Sequence, residues 1–245
     1  MSTRFSGKIG QEYRDFALAC PHFNELEGLV GKVIREHFKT NQNERLSALE
    51  IGCGPGYTTQ HIVEADPRIV VNAVDNEPLM IGQASEELSD YVEQGRVQLH
   101  TSSALEYLSQ LPENSVDVVA SAYAMHNFDN GYRKEVLAEI YRVLRPGGLL
   151  VNADKIAHDS QAEHNDALTW QIGQFWTQYP SIGKEYLAVE WTKHYLEDNH
   201  PNVIMRAGET TRLMDEIGYE NVEIGHRKYM DAVLTATKPL QKGGS

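Results

Sequence analysis

Five short aliphatic runs, at residues 46–51, 69–74, 97–99, 116–120 and 149–151, alternate with stretches of helical periodicity. The runs are bounded by turn-forming residues, as expected of parallel strands buried on both faces. Between them, apolar positions recur at three- and four-residue spacing over 57–65, 78–91, from 104 onward, and over 132–144. This alternation predicts βαβ units with right-handed crossovers in one α/β sheet. Ahead of the first run, Leu26, Leu29, Val30, Val33, Ile34 and Phe38 mark a helix. Pro21 separates it from a shorter helical segment around 13–19. After the fifth run come helical stretches at 162–178 and 184–198, a third at 208–217 ending at Gly218, and two more strands at 222–225 and 232–236.

The chemistry concentrates where the first strand meets the first of the following helices, in Glu50-Ile51-Gly52-Cys53-Gly54-Pro55-Gly56. Glycine permits positive φ and a close backbone approach, and a helix start offers unpaired N–H groups. Together they suit a nucleotide-type cofactor. The G-x-G-x-G spacing differs from the dinucleotide G-x-G-x-x-G, and no Gly-Lys-Ser/Thr of a P-loop follows. Asp75 ends the second strand about twenty residues later. A carboxylate there can accept from both ribose hydroxyls. It can also serve as an ordinary helix cap, since Glu77 and Pro78 follow.

Glu50 through Gly56 resembles motif I of the class I S-adenosylmethionine (SAM) dependent methyltransferases. The resemblance covers about residues 48–153 and implies a Rossmann-like, seven-stranded, mostly parallel sheet with helices on both faces. Its last strand would be antiparallel, with extra helices at the N-terminus and before strand 6. It implies SAM as cofactor, S-adenosylhomocysteine (SAH) as product, and a SAM-dependent methyltransferase acting on a small-molecule acceptor. The cofactor residues it points to are Glu50, Gly52, Cys53, Gly54, Gly56, Asp75, Asn76, Ser102, Ser103, Ala104, Ser121 and Ala122. Ser103 stands where this family often has an aspartate for the adenine amino group. A hydroxyl can accept that bond without charge assistance, or Ser102 and Ser103 can simply cap the next helix. The segment 121–128 resembles motif IV, which lies between cofactor and acceptor. Leu144-Arg145-Pro146-Gly147-Gly148 resembles the turn common before strand 5, where proline ends a helix and glycines reverse the chain.

Hydroxyl and amine acceptors need a proton removed. His126 is the candidate base by position, with an ordinary pKa of about 6.5; a buried, hydrogen-bonded loop histidine is the alternative. Tyr123 and Tyr13 are further catalytic candidates, and Asn127 and His194 could orient the acceptor. Tyr13, His22 and Phe23 either line a substrate lid or pack an extra helix pair. The aromatic-rich 162–198 region builds an acceptor pocket, a dimer interface or core. Residues 1–42 are expected to form a helical extension or lid, 43–239 the SAM-binding domain with a helical insertion at about 160–200, and 240–245 a tail.

Outside the common core, Pro21-His22-Phe23 and the ordering of helices from Lys184 to Leu213 are similar to carboxy-SAM synthases, which act on SAM itself. That family's carboxylate-binding arginine has no counterpart in Trp191-Thr192-Lys193-His194-Tyr195-Leu196, so plain SAM is expected. Those relatives imply a homodimer. A non-catalytic SAM-binding protein is the remaining alternative. The 245 residues carry a net charge of −13, which disfavours nucleic acid and anionic membranes as partners. Cys20 and Cys53 form no C-x-x-C, and 1–10 has no apolar core of a signal, so a cytoplasmic location is expected. No apolar run approaches the roughly 20 residues of a membrane span, and no Cys-Cys pair or His-x-Glu-x-x-His run suggests a metal.

Overall fold

The computed structural model describes residues 5 and 7–240. Short helices come first: α1 (Lys8–Gln11), a 3-10 turn (Tyr13–Asp15), α2 (Phe16–Ala19) and the long α3 (Phe23–Phe38). The alternating core follows as β1 (Leu46–Ile51), α4 (Tyr57–Ala65), β2 (Ile69–Asp75), α5 (Pro78–Glu87), α6 (Ser89–Glu93), β3 (Val97–Thr101), α7 (Ala104–Gln110) and β4 (Val116–Ala122). A second 3-10 turn (Met125–Asn127) leads to α8 (Asn130–Val143) and β5 (Leu144–Lys155). The chain ends with α9 (Gln161–Ser181), α10 (Glu185–Glu197), α11 (Ala207–Ile217), β6 (Glu220–Lys228) and β7 (Asp231–Thr237).

The strands form one sheet in the order β3-β2-β1-β4-β5-β7-β6. β1 through β5 pair in parallel, and β7 runs antiparallel to both β5 and β6. The order reverses between β1 and β4, so the crevice beyond their C-terminal ends is the ligand-binding position of an open α/β sheet. The period of two along β1 decides which layer each side chain meets. Leu46 and Ala48 join the apolar cluster under α3 and α4, whereas Leu49 and Ile51 join the one under α7, α8 and α11. Glu50 has the parity of Leu46 and Ala48, so it is driven into the α3–α4 side with no exposure.

Three boundaries differ from the sequence reading. The expected helix over 78–91 breaks at Leu88, whose φ and ψ of −105° and 15° leave the helix. That side chain packs below Gly56, where an added Cβ would meet it at 2.7 Å. The helix expected from Leu26 starts at Phe23, directly after the break at Pro21. The reversal at Pro146-Gly147-Gly148 is a bulge within β5. Leu144 pairs with Val116 and Leu149 with Val118, five residues against two. Lys238 takes up the bulge's backbone groups, accepting from Gly147 and donating to Gly148.

The aromatic helices are largely core. Trp191, Phe175, Tyr179 and Tyr195 are buried, and Trp191 lies 4.3 Å ring to ring from Phe16 of α2. Phe23 is core as well, 5.1 Å from Tyr123, while His22 stacks on Trp170 at 6.1 Å. Trp176, Val189 and Leu196 stay exposed on α9 and α10. Of the expected tail 240–245, only Leu240 is among the described residues, and the 1–10 stretch is described only in part.

Candidate active site

The glycine turn after β1 is built by backbone conformation. Gly52, Gly54 and Gly56 have φ of 70°, 53° and 95°, in the left-handed region that L side chains avoid. At Gly52 a Cβ would also come 2.3 Å from Ala124 Cβ, so the β4 loop seats directly on the turn. At Gly54 a Cβ would meet nothing within 4 Å, and this open side is wall for the cleft. Asp75 ties the turn to β2: its Oδ2 accepts from the Gly54 N–H and its Oδ1 from the Glu77 N–H, both at 2.9 Å. Burial pushes its carboxyl up from the usual range, against the pull of those N–H donors.

The cleft above the turn takes in about 630 Å³, open solvent at its mouth included. Its floor is Gly52, Cys53, Gly54 and Pro55, with Asp75, Asn76 and Met80 at the β2 end. Ala122, Tyr123, Ala124, Asn127 and Phe128 close it from β4, and Phe5, Tyr13, Glu27, Tyr57 and Thr58 from the N-terminal helices and α4. Thus Gly52, Cys53, Gly54, Asp75, Asn76 and Ala122 of the expected cofactor set line it, together with Tyr13, Tyr123 and Asn127. Tyr123 is held at φ 48°, a rare conformation for a bulky residue, by its N–H bond to Ala153 O at 3.0 Å.

The remaining expected residues lie outside these walls, each for a visible reason. Gly56 is the N-cap of α4 and packs on Leu88. Ser121 is buried, its hydroxyl donating to the Ile51 carbonyl at 2.9 Å across β4 and β1. Ser103 caps α7 by accepting from Glu106 N at 3.3 Å, Ser102 donates to the Ser103 carbonyl, and Ala104 is buried in the first turn of α7. Glu50 sits beneath the floor.

His126, the expected base, is turned away from the cleft. Its Nδ1 lies 2.5 Å from Asp154 Oδ1 and its backbone N–H donates to Asp154 Oδ2 at 3.1 Å. Its Nε2 faces Asp198 Oδ2 at 3.7 Å, in a second cavity that also includes Lys155 and His164. Asp154 arrives on β5, and nothing local to His126 in the chain announces it. His194 and Asp198 join this buried cluster, and with His126 they bring three potential ligand atoms within 4.8 Å. The ammonium of Lys155 is ion-paired with Asp198 and lies 3.8 Å over the Tyr195 ring. A lysine therefore already supplies the positive charge at that carboxylate.

Two carboxylates below and beside the cleft are raised together. Glu50 Oε2 accepts from the Thr59 hydroxyl at 2.5 Å, while Oε1 is buried without a hydrogen-bond partner among the described residues. Burial pushes Glu50 up to about 8; Glu27 is also pushed up to about 8, by burial first and then by Glu50. Each group is ionised in the unfolded chain above about 4.5 and neutral in the folded one until about 8. The folded state thus binds more protons across this window, so stability falls as pH rises from about 4.5 to 8. Glu50→Gln, which keeps an acceptor for Thr59, should remove its share. We expect a higher melting temperature than wild type at pH 8, by on the order of a few kcal/mol of stability, and near-equal melting at pH 5. Calorimetric scans at the two pH values check this.

Residues 48–148 match a methyltransferase domain family. Over that stretch the chain carries a methyltransferase-type domain, and the proteins it is similar to include methyltransferases and carboxy-SAM synthases. A demethylmenaquinone methyltransferase of Leptospira interrogans is 27% identical over 154 residues, 61% of each chain. A carboxy-S-adenosyl-L-methionine synthase of Hydrogenovibrio crunogenus is 26% identical over 223 residues, 90% of this chain and 82% of its own. The chain spans about three-fifths of the length of several other curated relatives it matches. Among solved structures, a SAM-dependent methyltransferase candidate from Methanococcus maripaludis superposes with a TM-score of 0.64 at 16% identity, covering 100% of this chain and 98% of that one. This likeness shows the fold.

Sequence reasoning missed Glu27, Tyr57, Thr58 and Met80 as wall residues. Glu27 left one signal: it is the charged residue within the otherwise apolar buried stripe of α3, beside Phe23, Leu26, Val30 and Ile34.

Proposed function

We propose that this protein transfers a methyl group from SAM to a small-molecule acceptor. The observation that carries this reading is the cleft at the sheet's reversal point, where Asp75 braces an open-sided Gly52–Gly54 turn. Bound there, SAM supplies an electrophilic methyl group on a sulfonium. Asp75 accepts from the ribose hydroxyls, beside Asn76, and Gly52, Cys53 and Gly54 let the methionyl chain lie against the backbone. Ala122 and Ala124 leave room for the acceptor to approach, while Phe5, Tyr13 and Phe128 exclude water. Tyr123, Tyr13 and Asn127 orient the acceptor. His126, tied to Asp154, positions the β4 loop. Residues 1–42 serve as the lid of a SAM-binding domain spanning 43–239.

A carboxy-SAM-synthase-like activity is the second reading, favoured by the match over 90% of this chain. Against it, the described walls of the cleft include no lysine, arginine or histidine to clamp a second carboxylate. Titration calorimetry with SAM, SAH and NAD tests the cofactor. Binding of both adenosyl ligands and not NAD supports the proposal, and failure of both overturns it. Labelled methyl transfer to a panel of quinols, phenols and amines then tests the acceptor. Product mass spectrometry with a carboxylate donor separates the second reading.

We place the protein in the cytoplasm, a reading supported by two free, buried cysteines, Cys20 and Cys53. No helix among the described residues is long and apolar enough to cross a membrane. A homodimer through the exposed Trp176, Val189 and Leu196 face is the proposed assembly. Trp176→Glu should then halve the mass seen by light scattering.

A further inference from the structure

We infer that Glu27, delivered by the N-terminal helix α3, is the counter-charge for the cationic methionyl end of SAM. The inference rests on the SAM reading of the cleft. Among the described wall residues, Glu27 and Asp75 carry charge when ionised, and both are acids. Asp75 is already committed to two backbone N–H groups and, in the proposed site, to the ribose hydroxyls. Glu27 is 6% exposed, and what acts on it is burial, Glu50 and the Thr58 hydroxyl. No basic side chain among the described residues is in that set.

A carboxylate at this depth without a cation is costly, and a glutamine or leucine would fill the same helical stripe without the cost. Such an unbalanced group facing a cleft marks a place where the ligand brings the missing charge. SAM brings two positive charges, a sulfonium and an α-ammonium, together with one α-carboxylate. SAH keeps the ammonium and the carboxylate without the sulfonium, and 5′-methylthioadenosine has none of the three.

The groups that face Glu27 come from four other elements: Glu50 of β1, Tyr57 and Thr58 of α4, Tyr13 of the first 3-10 turn, and Tyr123 beyond β4. None offers a positive charge. Burial holds the Glu27 carboxyl up at about 8, so a cation arriving beside it drives it to ionise and expels a proton. Affinity for SAM should therefore rise from pH 7 toward pH 8; with the sulfonium as partner it then levels off, and with the ammonium it falls again as that group loses its own proton.

The test is calorimetry on wild type and Glu27→Gln with SAM, SAH and 5′-methylthioadenosine, at pH 7 in buffers of different ionisation enthalpy. We expect E27Q to weaken SAM by at least about tenfold, as for loss of one partner of a buried charge pair, and to lose close to one released proton. Unchanged 5′-methylthioadenosine affinity shows that the adenosine half of the cleft has folded. If SAH weakens with SAM, the ammonium is the partner; if SAM alone weakens, it is the sulfonium. Equal SAM affinity and equal proton release in the two proteins overturn the inference, as does an E27Q defect confined to the KM of an amine acceptor. Wild type that binds neither SAM nor SAH sinks the cofactor reading itself, a different result from E27Q matching a wild type that binds.

Discussion

Asp75→Ala should weaken SAM and SAH binding by about a hundredfold or more. Two losses combine in this one change. The ribose hydroxyls lose a charged acceptor, and each charge-assisted bond of this kind is worth about 1.5–3 kcal/mol. The glycine turn loses its brace as well, because Asp75 Oδ2 holds Gly54 N–H at 2.9 Å and Oδ1 holds the start of the next helix through Glu77. Asp75→Asn separates the two, since its amide oxygen can keep one N–H while its NH₂ group opposes another. We expect the asparagine variant to fall between wild type and alanine. Titration calorimetry reads all three. An alanine variant within about threefold of wild type would remove Asp75 from the cofactor site.

Arg133→Met should destabilise the fold by about 3–5 kcal/mol, because several carbonyls lose a charged donor together at about 1–3 kcal/mol for each one left unsatisfied. Arg133 is 4% exposed and has no carboxylate in direct contact among its hydrogen bonds. Its guanidinium instead donates to the carbonyls of Met125, His126, Phe128 and Val203 and to the Asn130 side chain. Burial pushes it down to about 10, with Asp154, Asp129 and Asp198 holding it up from a distance. The methionine would leave four carbonyls, two buried and two half-buried, without that donor set, and residues 125–128 would lose their clamp. Because Asn127 and Phe128 wall the cleft, SAM affinity should fall with stability. Denaturant unfolding checks the first effect, and calorimetry below the melting range checks the second. Arg133→Lys should recover only part of either, since an ammonium cannot span carbonyls that far apart.

The two variants differ in how visible their residues are in the chain. The place of Asp75 in the cleft wall was legible because it depends on register along one strand: a parallel pairing of Ile51 with Val74 puts the residue after each at the same sheet edge. Gly52, Cys53, Gly54, Asn76 and Ala122 were legible for the same reason. The Ser102–Ala104 segment has that position too, but Ser103 is consumed by the cap of α7, the alternative already contained in its spacing to Glu106. Arg133 was not legible, since on α8 it reads as one more polar position of an amphipathic helix. Its carbonyl partners lie in an irregular turn and in the loop before α11.

The alternating runs of the chain determined the strand–helix order, the glycine turn and the acid at the end of β2. These are local or nearest-neighbour features, set by periodicity, φ preferences and parallel pairing. Tertiary structure decided what met across the sheet and between layers. It turned His126 onto Asp154 of β5 and away from the cleft. It buried the aromatic helices against α1 and α2 and placed Glu27 of α3 in the cleft wall with Thr58. Each of these contacts joins residues 28 or more positions apart, and their direction depends on how a helix rotates on the sheet. No repeat in the sequence encodes that rotation; the packing of the whole apolar core sets it.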